Sequence, residues 1–216
     1  MLNIGALASG RGSNFQAIID SIESGFLKAK IAVLISDNPE AYAIQRAKKH
    51  GIETLVLRLK DFHDKDSYYS RIAKEFKARN TGLVVLAGFM RVVGKALIRE
   101  FHNKIMNIHP AILPSFPGLH GQKQAVDYGV KISGCTVHFV DEGVDTGPVI
   151  IQSAVPAYHD DTEESLSERI LTQEHKIFPL AIRLFSEGRL SVEVRKVVIK
   201  GPREDVFIIN PPLLSP

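Results

Sequence analysis

The sequence predicts an α/β fold, in which helices cover both faces of a mostly parallel, doubly wound sheet of about seven strands to give three layers. Short apolar segments alternate along the chain with longer segments whose apolar residues recur at helical spacing. This order is typical of parallel sheets. With 216 residues, one domain can bury a complete core. The sequence contains no internal repeat, low-complexity segment or linker, so we expect residues 1–216 to form a single domain.

The strands and helices are predicted in regular order. Apolar strands are expected at residues 2–7, 30–36, 53–57, 83–86, 104–108, 133–140 and 149–154. Amphipathic helices are expected between them, at residues 13–24, 40–49, 66–78, 94–101 and 122–128. The first helix is the clearest, because Phe15, Ile18 and Ile22 recur at the spacing that places them on one helical face. We therefore expect a Rossmann-like arrangement in the amino-terminal half.

The carboxyl-terminal part predicts a long helix, a hairpin and a tail. The helix should span about residues 162–187, with Asp161 and Thr162 at its cap. Pro179 is expected to kink or split it, because proline lacks the backbone N–H. Residues 190–194 and 197–199 predict a short hairpin, and residues 211–216 predict a frayed end.

The bulk composition excludes several classes of protein. The net charge of +3 at pH 7 permits anionic small molecules but gives no reason to expect nucleic acid. Cys135 is the only cysteine, which excludes an internal disulfide. No apolar run approaches the roughly 18 residues of a membrane span. Asn3 and Gly5 interrupt the first apolar segment, which argues against a signal peptide. We expect a cytoplasmic protein that does not contact membranes.

A polar pair lies at the predicted carboxyl end of the fifth strand. Asn107 and His109 are two residues apart, so a strand directs both side chains to the same side. Pro110, Pro114 and Pro117 then predict a rigid loop, at the position where open α/β sheets bind ligands. An amide donor and an imidazole that titrates near neutral pH suit a carbonyl oxygen that becomes negative during reaction.

An acidic, glycine-containing loop at residues 141–148 follows the sixth predicted strand. Its Asp145 lies 36 residues after His109, so only the fold can bring the two together. A carboxylate beside an imidazole raises the pKa of the ring and holds it protonated and oriented. We expect Asn107, His109 and Asp145 to form an acyl-transfer site without a nucleophile, because the sequence lacks a convincing serine or cysteine elbow.

The turn between the first strand and the first helix suits an anion. Residues 9–14, Ser-Gly-Arg-Gly-Ser-Asn, open the helix, and the glycines let backbone N–H groups approach a phosphate. A dinucleotide site is an alternative, because Asp37 ends the second strand where a ribose-binding carboxylate would lie. Phe15 replaces the third glycine of that motif, so we favour a phosphate monoester. A plain turn capped by Ser13 stays open as well.

These motifs together resemble the folate-dependent formyltransferases. The similar segments are residues 9–14, 86–91 (Leu-Ala-Gly-Phe-Met-Arg), 107–110 (Asn-Ile-His-Pro), 113–114 (Leu-Pro), 145–148 (Asp-Thr-Gly-Pro) and 172–175 (Thr-Gln-Glu-His), within a resemblance from about residue 3 to residue 190. The resemblance implies formyl transfer from 10-formyltetrahydrofolate to the amine of glycinamide ribonucleotide in purine biosynthesis. It implies that Asn107 and His109 stabilise the oxyanion while Asp145 raises the pKa of His109.

The resemblance also assigns two binding sites. Glycinamide ribonucleotide is expected to bind Gly12, Ser13, Asn14 and Glu174. The folate co-substrate is expected to bind Lys65, Met90, Arg91, Val92, Val93, Leu97, Asn107, Asp141, Glu142, Gly143, Val144 and Asp145. Residues 1–100 would then form a nucleotide-binding half, residues 101–190 a catalytic and folate-binding half, and residues 191–216 a terminal hairpin and tail. Leu171 departs from the family pattern, which often has glutamine there, and Ala111 stands where serine is common.

Other functions stay open at this point. A formyltetrahydrofolate hydrolase would share the three catalytic residues and use water as acceptor, whereas methionyl-tRNA formyltransferase has an extra domain that we do not expect here. A nicotinamide-binding oxidoreductase is disfavoured by the missing glycine, and a nucleotide sensor by the catalytic set. A zinc site of His109, His120, His138 and Asp145 has no supporting short spacing, so we expect no metal. Monomer and homodimer both fit the sequence.

Overall fold

The chain folds around one central sheet, seen in a computed structural model that describes residues 1–201 and the backbone of residues 207–209. Its first seven strands are β1 (Leu2–Leu7), β2 (Ala29–Ser36), β3 (Thr54–Val56), β4 (Leu83–Leu86), β5 (Ile105–His109), β6 (Ile132–Phe139) and β7 (Val149–Pro156). A separate antiparallel hairpin contains β8 (Leu190–Glu193) and β9 (Lys196–Ile199), as predicted. The last described strand, β10 (Phe207–Ile209), joins the sheet beside β7 and is not predicted by the sequence pattern.

The strand order explains where a site can form. Within the described residues the order is β10-β7-β6-β5-β4-β1-β2-β3. Strands β3, β2, β1, β4 and β5 are parallel, whereas β6 runs antiparallel to both β5 and β7. The carboxyl ends of β1, β4 and β5 therefore meet at one edge, near the middle of the sheet. The predicted mostly parallel α/β fold is confirmed.

Helices cover both faces of the sheet. They are α1 (Ser13–Glu23), α2 (Tyr42–Lys49), α3 (Lys65–Ala78), α4 (Lys95–Glu100), α5 (Gly121–Tyr128) and α6 (Glu163–Ser186), with an unpredicted 3₁₀ turn at Leu59–Asp61. One apolar core lies between the sheet and α1, α2, α5 and α6, and a second lies between the sheet and α3 and α4. The three layers expected from the alternating pattern are thus present.

Helix α6 matters for the site because it carries Glu174. Its start is capped as predicted: the Thr162 hydroxyl accepts a hydrogen bond of 3.2 Å from the Ser165 N–H, and the Ser165 hydroxyl accepts one of 3.0 Å from the Thr162 N–H. Pro179 lies inside one uninterrupted helix, so the alternative in which the helix splits there is wrong. Buried apolar residues on both sides of Pro179 keep the helix packed on the sheet, which offsets the lost backbone bond. The predicted frayed end at 211–216 lies outside the described residues.

Candidate active site

The carboxyl end of β5 places the predicted catalytic side chains together. Asn107 Nδ2 lies 3.4 Å from Oδ1 of Asp145, and His109 Nδ1 lies 3.3 Å from Oδ2 of the same carboxylate. The strand period of two thus directs both side chains to one side, as expected. The structure brings the three residues into one cluster, in which His109 is buried and Asn107 and Asp145 are partly buried.

Asp145 occupies an unusual backbone position in the loop between β6 and β7. Its φ is 53°, in the left-handed region that few residues other than glycine, asparagine and aspartate adopt. Asp141 organises this loop, because its Oδ1 accepts hydrogen bonds from the Gly143 N–H at 3.1 Å and from the Thr146 hydroxyl at 2.6 Å. The loop geometry holds the Asp145 side chain against the end of β5.

The Asp145 carboxylate is charged at neutral pH. Burial acts to raise its pKa, but the hydrogen bonds from His138 and from the Gly118 N–H, together with the nearby histidine rings, outweigh that effect. The pKa therefore lies below its ordinary value. The Gly118 N–H donates to Oδ2 at 2.8 Å, so the loop after β5 contributes directly to this stabilisation.

The His109 ring lies between two acceptors. Its Nδ1 faces Asp145, and its Nε2 is 2.8 Å from the carbonyl oxygen of Phe116. Burial lowers the pKa of His109 by more than Asp145 and the Phe116 carbonyl raise it, so the net shift is downward. Asp145 does raise the pKa of His109, as expected. The prediction that Asp145 holds the ring protonated is wrong, because the effect of burial is larger. The reason is desolvation, which penalises the charged ring and cannot be judged before the packing is known.

His138 is a fourth polar member of the cluster, which the sequence analysis names only within the disfavoured zinc alternative. Its Nε2 lies 3.2 Å from Asn107 Nδ2 and 3.5 Å from Asp145 Oδ1, and its Nδ1 lies 2.8 Å from the Phe139 carbonyl oxygen. The Phe139 carbonyl oxygen can only accept, so the Nδ1–H of His138 donates to it. Its place in the cluster follows from the antiparallel pairing of β5 with β6, in which Asn107 lies opposite His138.

The loop after β5 is fixed to the neighbouring strands. The Thr136 hydroxyl donates to the Ala111 carbonyl at 2.7 Å and accepts from the Leu113 N–H at 3.0 Å. Gln152 Nε2 donates to the Leu113 carbonyl at 2.9 Å. Side chains from β6 and β7 thereby position the loop whose backbone contacts His109 and Asp145.

A cavity of about 540 Å³ opens beside the cluster. Its walls come from the loop after β4, the end of β5, the loop that follows it and the acidic loop. Nine of the predicted folate-binding residues line it: Met90, Arg91, Val92, Val93, Asn107, Asp141, Gly143, Val144 and Asp145. His109, Leu119 and His120 line it too, although no folate contact is predicted for them. Exposed apolar side chains beside irregular backbone provide the surroundings that a flat heterocycle requires.

Three predicted folate contacts do not line this cavity. Lys65 begins α3, and its Nζ lies 5.9 Å from the centre of the Tyr69 ring. Leu97 is completely buried in the core beneath α3 and α4. Glu142 directs its carboxylate towards Lys95, at 3.3 Å. Contacts between these three residues and folate stay predictions.

The predicted nucleotide-binding residues meet at the start of α1. Asn14 Nδ2 donates a 2.6 Å hydrogen bond to Glu174 Oε2, although 160 residues separate the two in sequence. Burial raises the pKa of Glu174, and the bond from Asn14 only partly opposes this. Gly12 precedes the helix with a φ of 68°, and a Cβ there would lie 2.7 Å from the Ala43 Cβ. Ser13 lines a separate groove of about 470 Å³, whose other walls include residues of α1, Arg46 and His175.

The turn between β1 and α1 and the cavity are neighbours. The Ser9 N–H donates to the Gly88 carbonyl at 3.0 Å, and the Ser9 hydroxyl accepts from the Met90 N–H at 3.0 Å. The turn after β1 is thus bonded to the loop after β4, which forms one cavity wall. A ligand at the start of α1 would lie beside one in the cavity.

Asp37 does not fit the alternative of a dinucleotide site. Its carboxylate forms an ion pair with Arg91, and only 7% of the Asp37 side chain is exposed. A carboxylate engaged in this way is poorly placed to accept hydrogen bonds from ribose hydroxyls. The observation removes the main support for that alternative.

Other candidate features behave as ordinary structure. Cys135 is buried, and burial raises the pKa of its thiol, which does not suit a nucleophile. Among the residues that the structure describes, no three His, Cys, Asp or Glu side chains are grouped so as to hold a metal ion. Over the same part of the chain, no helix combines the length and apolar character needed to cross a membrane.

Comparison with known proteins identifies similar curated sequences. The chain is 38% identical over 202 residues to phosphoribosylglycinamide formyltransferase of Escherichia coli (strain K12), an alignment that covers 94% of the chain and 95% of that protein. It is 46% identical over 187 residues to the trifunctional purine biosynthetic protein adenosine-3 of Drosophila melanogaster. That alignment covers 86% of the chain but only 14% of the larger protein, so the chain spans about one seventh of such trifunctional relatives.

Solved structures give the same picture and lead to the family. Glycinamide ribonucleotide transformylase 1 from Symbiobacterium toebii has a TM-score of 0.91 and 47% identity, with 92% of this chain and 94% of that chain covered. A formyltetrahydrofolate deformylase from Pseudomonas syringae pv. tomato str. DC3000 has a TM-score of 0.85 and 27% identity, covering 92% of this chain and 65% of that one. The formyl transferase family matches residues 2–182. The chain therefore belongs to the formyl transferase family.

Proposed function

We propose that this protein transfers the formyl group of 10-formyltetrahydrofolate to the amine of glycinamide ribonucleotide, in de novo purine biosynthesis. The observation that carries the proposal is the cluster of Asn107, His109 and Asp145 at the wall of the 540 Å³ cavity. The cavity suits the flat ring of a folate, and the cluster suits an acyl group that becomes an oxyanion. The names of the similar proteins agree with this assignment.

The cluster has the groups that direct transfer requires. Attack by the amine nitrogen on the formyl carbon forms a C–N bond and places negative charge on the formyl oxygen. Asn107 Nδ2 and a ring N–H of His109 donate to that oxygen, a preorganised form of electrostatic stabilisation. The original bond from the formyl carbon to the folate nitrogen then breaks. The proton lost by the amine passes to that nitrogen, with Asp145 as a relay through water.

His109 must change partners for this role. Its Nε2 contacts the Phe116 carbonyl oxygen, and its Nδ1 faces Asp145, so neither nitrogen is idle. We propose that Nε2 exchanges the carbonyl of Phe116 for the reacting oxygen while Nδ1 keeps its contact with Asp145. The negative charge on that oxygen raises the pKa of the ring and opposes the effect of burial.

The acceptor substrate is proposed to bind at the start of α1. Gly12, Ser13 and Asn14 offer backbone N–H groups and polar side chains at the positive end of the helix, which suits a phosphate monoester. Glu174, which accepts a hydrogen bond from Asn14, is the acceptor available for ribose hydroxyls or the glycinamide group. The bonds of Ser9 to Gly88 and Met90 connect this turn to the cavity wall, which supports an arrangement that holds both substrates in line.

The proposal includes a cytoplasmic location and a monomer or homodimer. The single cysteine, Cys135, is unpaired and suits a reducing compartment.

Product identification tests the proposal directly. The protein is incubated with glycinamide ribonucleotide and a 10-formyltetrahydrofolate whose formyl carbon is ¹³C, and the product is followed by NMR. We expect the label in the formyl amide of glycinamide ribonucleotide, with an Asn107→Ala variant slower by about a hundredfold. Label found only in free formate would contradict the proposal and support the deformylase alternative.

A further inference from the structure

The loop that follows β4, residues 88–93, forms one wall of the cavity and lies outside any helix or strand. Its side chains Met90 and Val92 are 61% and 49% exposed, so little packing holds them in place. The shape of its backbone therefore depends on contacts from elsewhere in the fold. One such contact is the 3.0 Å hydrogen bond from the Met90 N–H to the Ser9 hydroxyl, at the end of β1.

A second contact comes from the end of β2. The Arg91 guanidinium donates to Asp37, whose side chain is 7% exposed against 39% for Arg91. A carboxylate buried to this extent is costly without its cation, so the pair strongly favours one position of Arg91. The chemistry proposed for the active site does not use Asp37.

A third contact comes from α3. The Tyr69 hydroxyl donates a 2.9 Å hydrogen bond to the Val92 carbonyl. The ring is closely packed, because a Cβ at Gly94 would lie 2.3 Å from Tyr69 Cδ2. Burial raises the pKa of Tyr69, so the hydroxyl stays a neutral donor at any working pH.

Three successive loop residues are therefore each bonded to a different element. None of the three side chains that hold them, Ser9, Asp37 and Tyr69, lines the cavity. We propose that these are positioning residues, which keep the backbone of residues 90–92 in the shape that receives the flat heterocycle of the folate. This inference rests on the proposed function and deepens it, because it assigns part of the folate affinity to residues that do not touch the ligand.

Neighbouring tyrosines on α3 provide a matched pair of variants. Tyr68 is completely buried like Tyr69, but its hydroxyl has no hydrogen-bond partner among the residues that the structure describes. Tyr69→Phe removes the bond to the Val92 carbonyl, whereas Tyr68→Phe removes a hydroxyl that makes no bond within that part of the chain. We expect Tyr69→Phe to raise the KM for 10-formyltetrahydrofolate about fivefold, the usual effect of one lost hydrogen bond. The KM for glycinamide ribonucleotide and kcat should stay within about twofold, and Tyr68→Phe should leave all three unchanged.

A binding measurement separates positioning from catalysis. The dissociation constant of tetrahydrofolate, which has no formyl group to transfer, is measured by calorimetry for wild type, Tyr69→Phe, Tyr68→Phe and Ser9→Ala. We expect weaker binding, by about fivefold, in Tyr69→Phe and Ser9→Ala only.

Two results would overturn the inference. One is equal folate affinity in the two tyrosine variants. The other is that Tyr69→Phe raises both KM values and also lowers kcat and Tm, which would indicate general destabilisation. A wild-type protein that transfers no formyl group and binds no tetrahydrofolate would instead contradict the proposed function, on which the inference depends.

Discussion

Replacing Asp145 with asparagine removes the charge at the centre of the active site and turns one of its two acceptor oxygens into an amide donor. Asparagine has nearly the same shape and tolerates the positive φ of 53° found there, so the loop should keep its conformation. The charged atom closest to His109 is lost: Oδ2 lies 3.3 Å from Nδ1, and the two side chains are 13% and 4% exposed.

The magnitude follows from that distance. Two unit charges separated by 3.3 Å attract by about 5 kcal/mol at an effective dielectric constant of 20. Asp145 also interacts with His138 and the Gly118 N–H, so only part of this energy supports the charged form of His109. A hundredfold loss of rate corresponds to about 2.7 kcal/mol. We therefore expect kcat at pH 7 to fall by at least about a hundredfold, the usual scale for an oxyanion donor.

The sign of the pH dependence gives a sharper test. Asp145 raises the pKa of His109 against the larger effect of burial, so the variant should have a His109 pKa further below its ordinary value. In the variant, the His109 ring is then protonated only at lower pH. The deficit of the variant in kcat relative to wild type should therefore shrink as the pH falls. Because both proteins use the same substrate, titration of its amine cancels in the ratio.

The assay combines kcat from about pH 5.5 to 8 with an NMR titration of the His109 ring nitrogens. Asp127→Asn on α5 is the control, because it removes an exposed carboxylate that is paired with Lys123 at 2.7 Å and does not line the cavity. Turnover of Asp145→Asn within a few-fold of wild type, or a deficit that is the same at every pH, would refute the reasoning.

Two further predictions concern the nucleotide site and the hairpin. The pKa of Glu174 is raised in the folded protein, so protonated Glu174 contributes stability that is fully present below the ordinary pKa of glutamate. That stability is lost as the pH rises through the pKa of Glu174 in the folded state. Glutamine does not titrate, so the Tm of Glu174→Gln relative to wild type should increase from about pH 4 to 8. A Tm difference that does not vary with pH would contradict this. Arg195 in the β8–β9 turn donates a 2.9 Å hydrogen bond to the Thr146 carbonyl, next to Asp145, so Arg195→Ala should lower kcat about two- to fivefold. Lys196→Ala is the control from the same hairpin, and equal kcat values for the two variants would show that the hairpin does not support the loop.

Local patterns account for the parts of the fold that the sequence predicts. The apolar spacing of Phe15, Ile18 and Ile22 and the cap at Thr162 depend on near neighbours, and both elements form where expected. The strand β10 and the continuity of α6 through Pro179 depend on packing against the rest of the sheet. Information of that kind is not contained in a local window of sequence.

The same division holds in the active site. Asn107 and His109 are predictable because strand geometry sets their direction. The positions of His138 and of the Phe116 carbonyl in the cluster are not predictable in this way. His138 reaches the cluster through the antiparallel register of β5 and β6, and the carbonyl of Phe116 reaches it through the backbone of a loop. The net pKa shift of His109 also depends on burial, which only the complete fold determines.

The central claim is that the acceptor is a bound phosphorylated amine and not water. It is tested most directly by the initial rate of 10-formyltetrahydrofolate deformylation, followed by absorbance, with and without saturating glycinamide ribonucleotide. The cluster of Asn107, His109 and Asp145 could serve either acceptor, whereas the turn at Gly12 to Asn14 and the buried Glu174 are proposed to serve only the amine substrate. We expect fast deformylation that requires glycinamide ribonucleotide, with only slow leakage in its absence. An equally fast rate with water as the only acceptor would contradict the claim and assign the protein to the deformylases.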